Sequence, residues 1–303
     1  MLTGSFDRYN TNCVLQWNVN GYIAKLPRLQ SLVESLGPKV LALQELKVRA
    51  SSSIYLQGYT IYKKCRLGMG GGVCLAVHNS VPSVEIPLNT DLEAVACTLF
   101  FKNFNLSICN VYFNAEADVS LASLDNLLTV VPAPRLLLGD VNAKHFSWGS
   151  PICDGRGVVI NRFLSQANLF LLNDGSPTYF NMHTNYYSHL DISCVSDTVS
   201  HNFAWRTYPD ALSSDHFPVI IRYTADHHYV TKPSKWLLDK ANWTGYRSSL
   251  EFPAELSAVM DPGFASIQMP AGFADENSLH TEIVNPLWFK FSLTEIKHFD
   301  MIF

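Results

Sequence analysis

Apolar residues along this chain gather into short, nearly uninterrupted runs as far as position 223: CVLQWNV, VLALQEL, GGVCLAVH, AVACTLFF, LSICNVYF, RLLLGDV, LFLLND, LDISCVS and HFPVIIRY. Runs of this length, rich in Val, Ile, Leu and Cys and lacking polar alternation, suit strands covered on both faces. Three segments between them have helical spacing instead. LPRLQSLVESLG sets Leu26, Leu29, Leu32, Val33 and Leu36 near one side and stops at Gly37-Pro38, a pair that ends helices. SLASLDNLLTVV and GVVINRFLSQAN read similarly, the second ending at Asn168. Many buried strands with few helices favour an α/β class built of two packed sheets flanked by helices over a doubly wound sheet.

After Tyr223 the pattern dissolves into HHYVTKPSKWLLDKANWTGYRSSLEF and a stretch with Pro, Gly and Met but weak periodicity. A boundary is therefore expected near 225, with a domain over 1–225 and a poorly defined tail over 226–303. Charge supports the division. Residues 1–225 hold 16 Lys+Arg and 16 Asp+Glu, and the whole net charge of −4 lies in the tail. The first part lacks the basic excess of a strong non-specific nucleic-acid binder, so any DNA contact must use a local basic surface. The seven cysteines stand singly, mostly inside apolar runs. That pattern fits buried free thiols in a reducing compartment rather than disulfides or a metal cluster. The polar start and the lack of a long apolar stretch point to a soluble, intracellular protein without a membrane partner.

Polar residues cluster at the ends of the apolar runs, where α/β folds assemble their sites. Asn18, Glu45, Tyr112, Asp140, Asn142, Asp191 and the pair Asp215-His216 all occupy such places. One strand-end Asn or Asp is more often a turn former or a helix cap. Together they supply what phosphoryl chemistry requires: carboxylates for a hard divalent ion that keeps several waters, a group to orient the attacking water, and a cation facing the phosphate. Gly70, Gly71 and Gly72 are not a nucleotide cradle, because VCLAVH after them continues as a strand and not as a helix. His227-His228 read as solvated linker residues, His145 as a structural loop residue in preference to a DNA contact, and Trp17, Trp148 and Trp205 as core aromatics.

Seven motifs in order, WNVNG (17–21), LQE (43–45), GGGV (70–73), NVY (110–112), GDVNA (139–143), HLDIS (189–193) and SSDH (213–216), resemble the endonuclease/exonuclease/phosphatase superfamily, which includes apurinic endonucleases and pancreatic-type deoxyribonucleases. The resemblance covers about residues 13–223 and implies a DNase I-like four-layer α/β/β/α sandwich. It implies Mg2+, with Mn2+ as a substitute, on Glu45, with Asn18 beside it and Asp215 near the same ion. Asp140 would orient and deprotonate the water and Asn142 would hold the phosphate or that water. His216, paired with Asp191, would bind the scissile phosphate, and Tyr112 would hydrogen-bond one of its oxygens.

The glycine-rich GMGGGVCLAVH, the stretch NAKHFSWGSPICDGRGVVINRFL and the tail segment KWLLDKANWTGY (235–246) are similar to the endonuclease region and connector of jockey-like non-LTR retrotransposon polyproteins. The expected activity is the nicking of double-stranded target DNA in the nucleus, leaving a 3′-hydroxyl. Retroelement RNA or a reverse transcriptase would be partners only in a full-length parent, since no polymerase motif precedes Phe303 and the chain is expected to be a truncated or degenerate copy. YFNMHTNYYSHL (179–190) is expected to form a hairpin presenting Asn181, His183, Thr184, Asn185, Tyr186 and Ser188 to DNA, and Thr178 at its base resembles a family position, which implies that it helps to hold the nicked strand. Two departures stand out: Phe113-Asn114 follows Tyr112 where the family often has a proline-containing turn, and GDVN replaces the commoner GDFN. A phosphomonoesterase or phospholipase of the same superfamily, or an inert DNA-binding remnant, are the other readings.

Overall fold

The computed structural model describes residues 12–224 except 67, 69 and 103. The tail expected over 226–303, with its connector-like segment and His227-His228, lies outside the described residues. In chain order the elements are β1 (Asn12–Asn18), α1 (Tyr22–Leu36), β2 (Val40–Gln44), β3 (Tyr59–Lys64), β4 (Val73–His78), β5 (Ser83–Ile86), β6 (Glu93–Phe100) and β7 (Asn105–Tyr112). There follow α2 (Leu121–Thr129), β8 (Arg135–Asp140), α3 (Gly155–Gln166), β9 (Leu169–Leu171), β10 (Tyr179–Asn181), β11 (Tyr186–Ser188), β12 (Asp191–Ser196), β13 (Phe203–Thr207) and β14 (Val219–Tyr223). Two six-stranded sheets run in the orders β13-β14-β1-β2-β4-β3 and β5-β6-β7-β8-β12-β9, and β10-β11 pair as a separate hairpin.

Alternate residues of each central strand enter different cores, which explains why the sequence shows unbroken apolar runs. Val14, Val40, Ala42, Leu75, Ile108, Leu136 and Leu138 meet between the sheets. Their chain neighbours Cys13, Leu15, Leu41, Leu43 and Cys74 pack outward with Leu29 and Leu32 of α1. On the far side, Cys109, Val111 and Leu137 pack with Leu124, Leu127 and Leu128 of α2 and Ile160, Phe163 and Leu164 of α3. The four-layer α/β/β/α order expected from the sequence is thus observed.

Helix boundaries follow local chemistry. The first helix starts at Tyr22, ahead of the apolar stripe, because Gly21 N–H and Tyr22 N–H donate to the carbonyls of Glu45 and Leu46; it ends at Gly37 in the left-handed region, which glycine occupies without a Cβ penalty. Ser120 and Ser123 form a capping box at α2, and Asp154 accepts from Gly157 N–H at the start of α3, each satisfying N–H groups that the helix leaves free. Five cysteines are buried and all seven are free. Trp17, Trp148 and Trp205 are core residues.

Strand register positions the site. Tyr112 pairs with Asp140 across β7 and β8, and Asp140 pairs with Asp191 across β8 and β12. In the facing sheet Asn18 pairs with Gln44, so Glu45 follows directly beyond that level. Polar strand ends from both sheets therefore meet at one rim of the inter-sheet layer.

Candidate active site

At that rim, Asn18 is buried and its amide nitrogen donates to Asp140 Oδ2 at 2.8 Å and to Glu45 Oε1 at 3.2 Å. Its oxygen accepts from Asn20 N–H at 3.0 Å. Asn18 thus joins two carboxylates from different sheets through its nitrogen. Glu45 also accepts from the Tyr112 hydroxyl at 2.7 Å and pairs with Lys47 at 2.9 Å. Burial pushes the Glu45 carboxyl upward, but Lys47, Tyr112 and Asn18 outweigh it and hold the group below its ordinary value, ionised near neutral pH. Lys47 also donates to Asn20 Oδ1, and Asn20 Nδ2 donates to Asp215 Oδ1 at 3.0 Å, which ties Asp215 to the same cluster.

Deeper in, His216 stands between two acids. Its Nδ1 lies 2.8 Å from Asp191 Oδ2, its Nε2 lies 3.6 Å from Asp140 Oδ2, and all three residues are buried. Burial alone would lower the imidazole pKa, but Asp191 and then Asp140 reverse this and raise it, so the ring is an imidazolium. Burial, reinforced by the Asp191 charge, pushes Asp140 up to about 7 although His216 and Asn18 pull the other way. Asp140 accepts as well from Asn142 N–H at 3.0 Å. The Asn142 backbone is left-handed at φ 46°, and its amide nitrogen donates to the Phe113 carbonyl at 3.0 Å and lies 3.4 Å from Asp140 Oδ2.

The eight candidates for chemistry therefore come together. The Tyr112 hydroxyl, which the resemblance assigned to a phosphate oxygen, donates to Glu45, and Asn18 lies beside Glu45, as the resemblance implied, with its nitrogen toward both acids. Asp140, Asp191 and His216 bring one donor atom each within 4.8 Å of one another and can hold a metal ion. With both ring nitrogens facing acids, however, His216 already supplies the positive charge there. Glu45 is ionised and half-buried, and offers hard oxygen of the kind Mg2+ prefers.

The hairpin forms as expected. Asn181 is half-buried and His183, Thr184, Asn185 and Tyr186 are exposed. Ser188 and Thr178 are buried, and the Thr178 hydroxyl accepts from Leu190 N–H and Asp191 N–H, both at 3.1 Å. Thr178 therefore fixes the start of β12 and with it Asp191. His145 accepts from Ser147 N–H and caps a short turn. Two neighbours of the site escaped the sequence reading. The Tyr179 ring packs edge-on against His216 at 4.9 Å; its place two residues before Asn181 at the hairpin's base was the available signal. Arg66 pairs with Glu93 and lies 5.8 Å over the Tyr112 ring; no motif marks it.

Residues 106–220 match the family described as endonuclease-reverse transcriptase. The chain is 23% identical over 265 residues to the probable RNA-directed DNA polymerase from transposon BS of Drosophila melanogaster, covering 82% of this chain and 28% of that protein. It is 26% identical over 203 residues to the RNA-directed DNA polymerase from mobile element jockey of Drosophila funebris, covering 65% and 22%. The chain thus spans about a quarter of the length of these curated relatives. Among solved structures it resembles the endonuclease domain of TRAS1, a telomere-specific non-LTR retrotransposon, with TM-score 0.62, 21% identity and coverage of 71% of this chain and 98% of that one. It also resembles the AP endonuclease LMAP from Leishmania major, with TM-score 0.61, 16% identity and coverage of 72% and 89%. The fold is that of the endonuclease/exonuclease/phosphatase enzymes, as the ordered motifs led us to expect, and the sequence likeness is to polymerases of jockey-like transposons, as GMGGGVCLAVH, NAKHFSWGSPICDGRGVVINRFL and KWLLDKANWTGY did.

Proposed function

We propose that this chain carries the endonuclease of a non-LTR retrotransposon, a Mg2+-dependent enzyme that hydrolyses one phosphodiester bond of double-stranded DNA. The observation that carries the proposal is the buried Asp140–His216–Asp191 set joined through Asn18 to the ionised Glu45. A phosphate entering at this rim meets a fixed imidazolium on one side and carboxylates on the other. Glu45 and Asp215 would hold Mg2+, with Asn18 beside Glu45, and the ion when bound would supply charge neutralisation at the phosphate oxygens.

The chain's own groups do the rest. Asp140 takes a proton from the attacking water; a carboxyl raised to about 7 by burial and by the Asp191 charge is matched to that work near neutral pH. The water oxygen bonds to phosphorus, the P–O3′ bond breaks, and the leaving oxygen takes up a proton to become the 3′-hydroxyl, leaving a 5′-phosphate. His216, a cation preset by Asp191, would turn to the phosphate the Nε2 that stands 3.6 Å from Asp140, so little reorganisation accompanies charge build-up. Asn142 orients water or phosphate through its amide, and Tyr112 holds Glu45 in place. The exposed hairpin residues His183, Thr184, Asn185 and Tyr186, with the half-buried Asn181, would read the duplex beyond the phosphates.

Incubation of the purified chain with supercoiled plasmid and Mg2+ tests this. Conversion to open circles that a DNA polymerase extends without prior phosphatase treatment is the expected result, abolished by chelation. Hydrolysis of an inositol phosphate or sphingolipid without nicking would favour the phosphatase or phospholipase reading, and inertness toward all of them a remnant.

A further inference from the structure

The turn after Tyr112 has no proline, yet the residues around it determine where Asn142 and the Tyr112 hydroxyl point. What fixes the turn is a side chain from elsewhere. Arg156, in the first turn of α3, donates through Nη1 to the carbonyls of Asn114 at 2.9 Å, Asn142 at 3.3 Å and Val141 at 3.4 Å. Through Nη2 it donates to the carbonyls of Ala115 at 2.9 Å and Ala117 at 2.7 Å. Among the described residues it forms no ion pair, so carbonyl oxygens of two loops surround its charge. One loop continues β7 beyond Tyr112, the other continues β8 beyond Asp140.

Neighbours leave Arg156 little freedom. Asp154 accepts from Gly157 N–H at 2.7 Å and from Lys144 N–H at 3.1 Å, while its own N–H donates to the Lys144 carbonyl at 3.0 Å. A Cβ at Gly157 would run into that same carbonyl. The Asp154-Gly155-Arg156-Gly157 stretch is thereby seated directly on the backbone that follows Asn142. The two loops are themselves linked, since Phe113 N–H donates to the Asp140 carbonyl at 2.9 Å and Asn142 Nδ2 to the Phe113 carbonyl.

We propose that Arg156 is a positioning residue: its planar fork holds the 113–117 and 141–144 loops in one register, and so sets the Asn142 amide against Asp140 and the phosphate. Only a guanidinium presents five donors in a fixed plane; a lysine ammonium is a point with three. Arg156→Lys therefore keeps the charge and the helix but loses the simultaneous grip on both loops. The catalytic part of the inference rests on the proposed nuclease activity, whereas the structural part does not.

The test uses the full chain with Arg156→Lys and Arg156→Ala. Amide exchange over 113–117 and 141–144 is expected to quicken in both variants while β7 and β8 stay protected. Plasmid nicking with Mg2+ should lose about 10- to 100-fold in kcat with KM for plasmid nearly unchanged, as expected when reacting groups are misaimed. Millimolar guanidinium ion should partly restore Arg156→Ala, and sodium ion should not. Wild-type exchange in the loops of Arg156→Lys would overturn the proposal, as would activity falling only in step with the fraction unfolded and without guanidinium rescue. If the wild-type chain does not nick, the nuclease reading fails, and the exchange measurement alone decides whether Arg156 holds the loops.

Discussion

The two ends of the inter-sheet layer are made by the same strands and differ in almost every physical respect. At one end Val14, Val40, Val77, Leu106, Leu136 and Val195 pack in one buried, mostly apolar cluster. At the other, Asn18, Tyr112, Asp140 and Asp191 continue the same strand faces, all buried. Between them lies a belt of amides and hydroxyls. Gln44 donates to Asn110 at 2.6 Å, Asn110 to the carbonyls of Leu43 and Cys74 at 2.9 Å each, and Ser193 to Gln16 at 2.8 Å. Even so, Gln16 Nε2 and Gln44 Oε1 find no hydrogen-bond partner among the described residues. An unpaired buried polar atom costs about 1–3 kcal/mol. The apolar end holds the sheets together, while the polar end draws on that stability to keep carboxylates and an imidazolium at fixed positions.

The largest separation between the two ends should come from substitutions on one strand. Asp140→Asn should cut nicking about 10³-fold by removing the base, with an unchanged or raised Tm because a buried carboxyl with an elevated pKa is replaced by a neutral amide. Two residues back on the same face, Leu138→Ala should do the reverse. It is expected to cost about 2–5 kcal/mol of stability and to leave nicking per folded molecule within about twofold. Denaturant titration and plasmid nicking on both variants measure this; a Leu138→Ala enzyme of normal stability and poor activity would erase the distinction.

Within the polar end, Asp191→Asn sharpens which charge presets His216. In the wild type the His216 pKa is raised to about 10 by Asp191 and then Asp140 against the effect of burial. The stabilising cation is therefore fully present below the ring's unfolded value and is lost as pH rises through its folded one. Nicking should rise as Asp140 ionises through about 7 and fall only on the alkaline side. Asparagine at 191 should bring the alkaline fall down by about 1–3 pH units. A pH–rate profile with an unmoved alkaline limb would detach Asp191 from the ring's charge.

The smallest effect on rate is expected outside both ends. Exchanging residues 182–186 of the exposed hairpin for a short Gly-Ser turn should keep total nicking within about threefold, because phosphate contacts position the duplex and base contacts specify it. The nick positions on a long duplex should redistribute. An identical nick map at nucleotide resolution would remove the hairpin from target reading.

How much of this was legible follows from the same physics. Central strands announced themselves because both of their faces are covered. The edge strands β3, β5 and β13 did not, since their residues are mostly half-buried or exposed and mix Tyr, Thr, Lys, Ser, Glu and Arg into the pattern. The catalytic-type residues were visible as polar strand ends, and their order matched a known family. Their convergence was not visible, because Asn18 meets Asp140 across 122 residues and His216, in the loop before β14 of one sheet, meets Asp191 at the start of β12 in the other. The direction of a side chain also stayed hidden: the family resemblance had the Tyr112 hydroxyl facing a phosphate, whereas it reaches Glu45 from the neighbouring sheet. Thr178 was expected to contact the nicked strand because it resembles a family position, and only the folded chain shows its hydroxyl occupied by two backbone N–H groups.

The most direct measurement is a side-by-side determination of Tm and plasmid-nicking rate for the wild-type chain and Glu45→Ala at saturating Mg2+. Glu45 sits at the outer edge of the polar end, where it is half-buried among Asn18, Tyr112 and Lys47 and contributes nothing to the apolar layer. The expected result is a Tm lowered by a few degrees at most, since Lys47, Tyr112 and Asn18 lose the carboxylate they hold, together with loss of detectable nicking. Nicking by Glu45→Ala within about tenfold of wild type, a change far smaller than loss of a main metal ligand should produce, would contradict the assignment of this rim as the metal-dependent site.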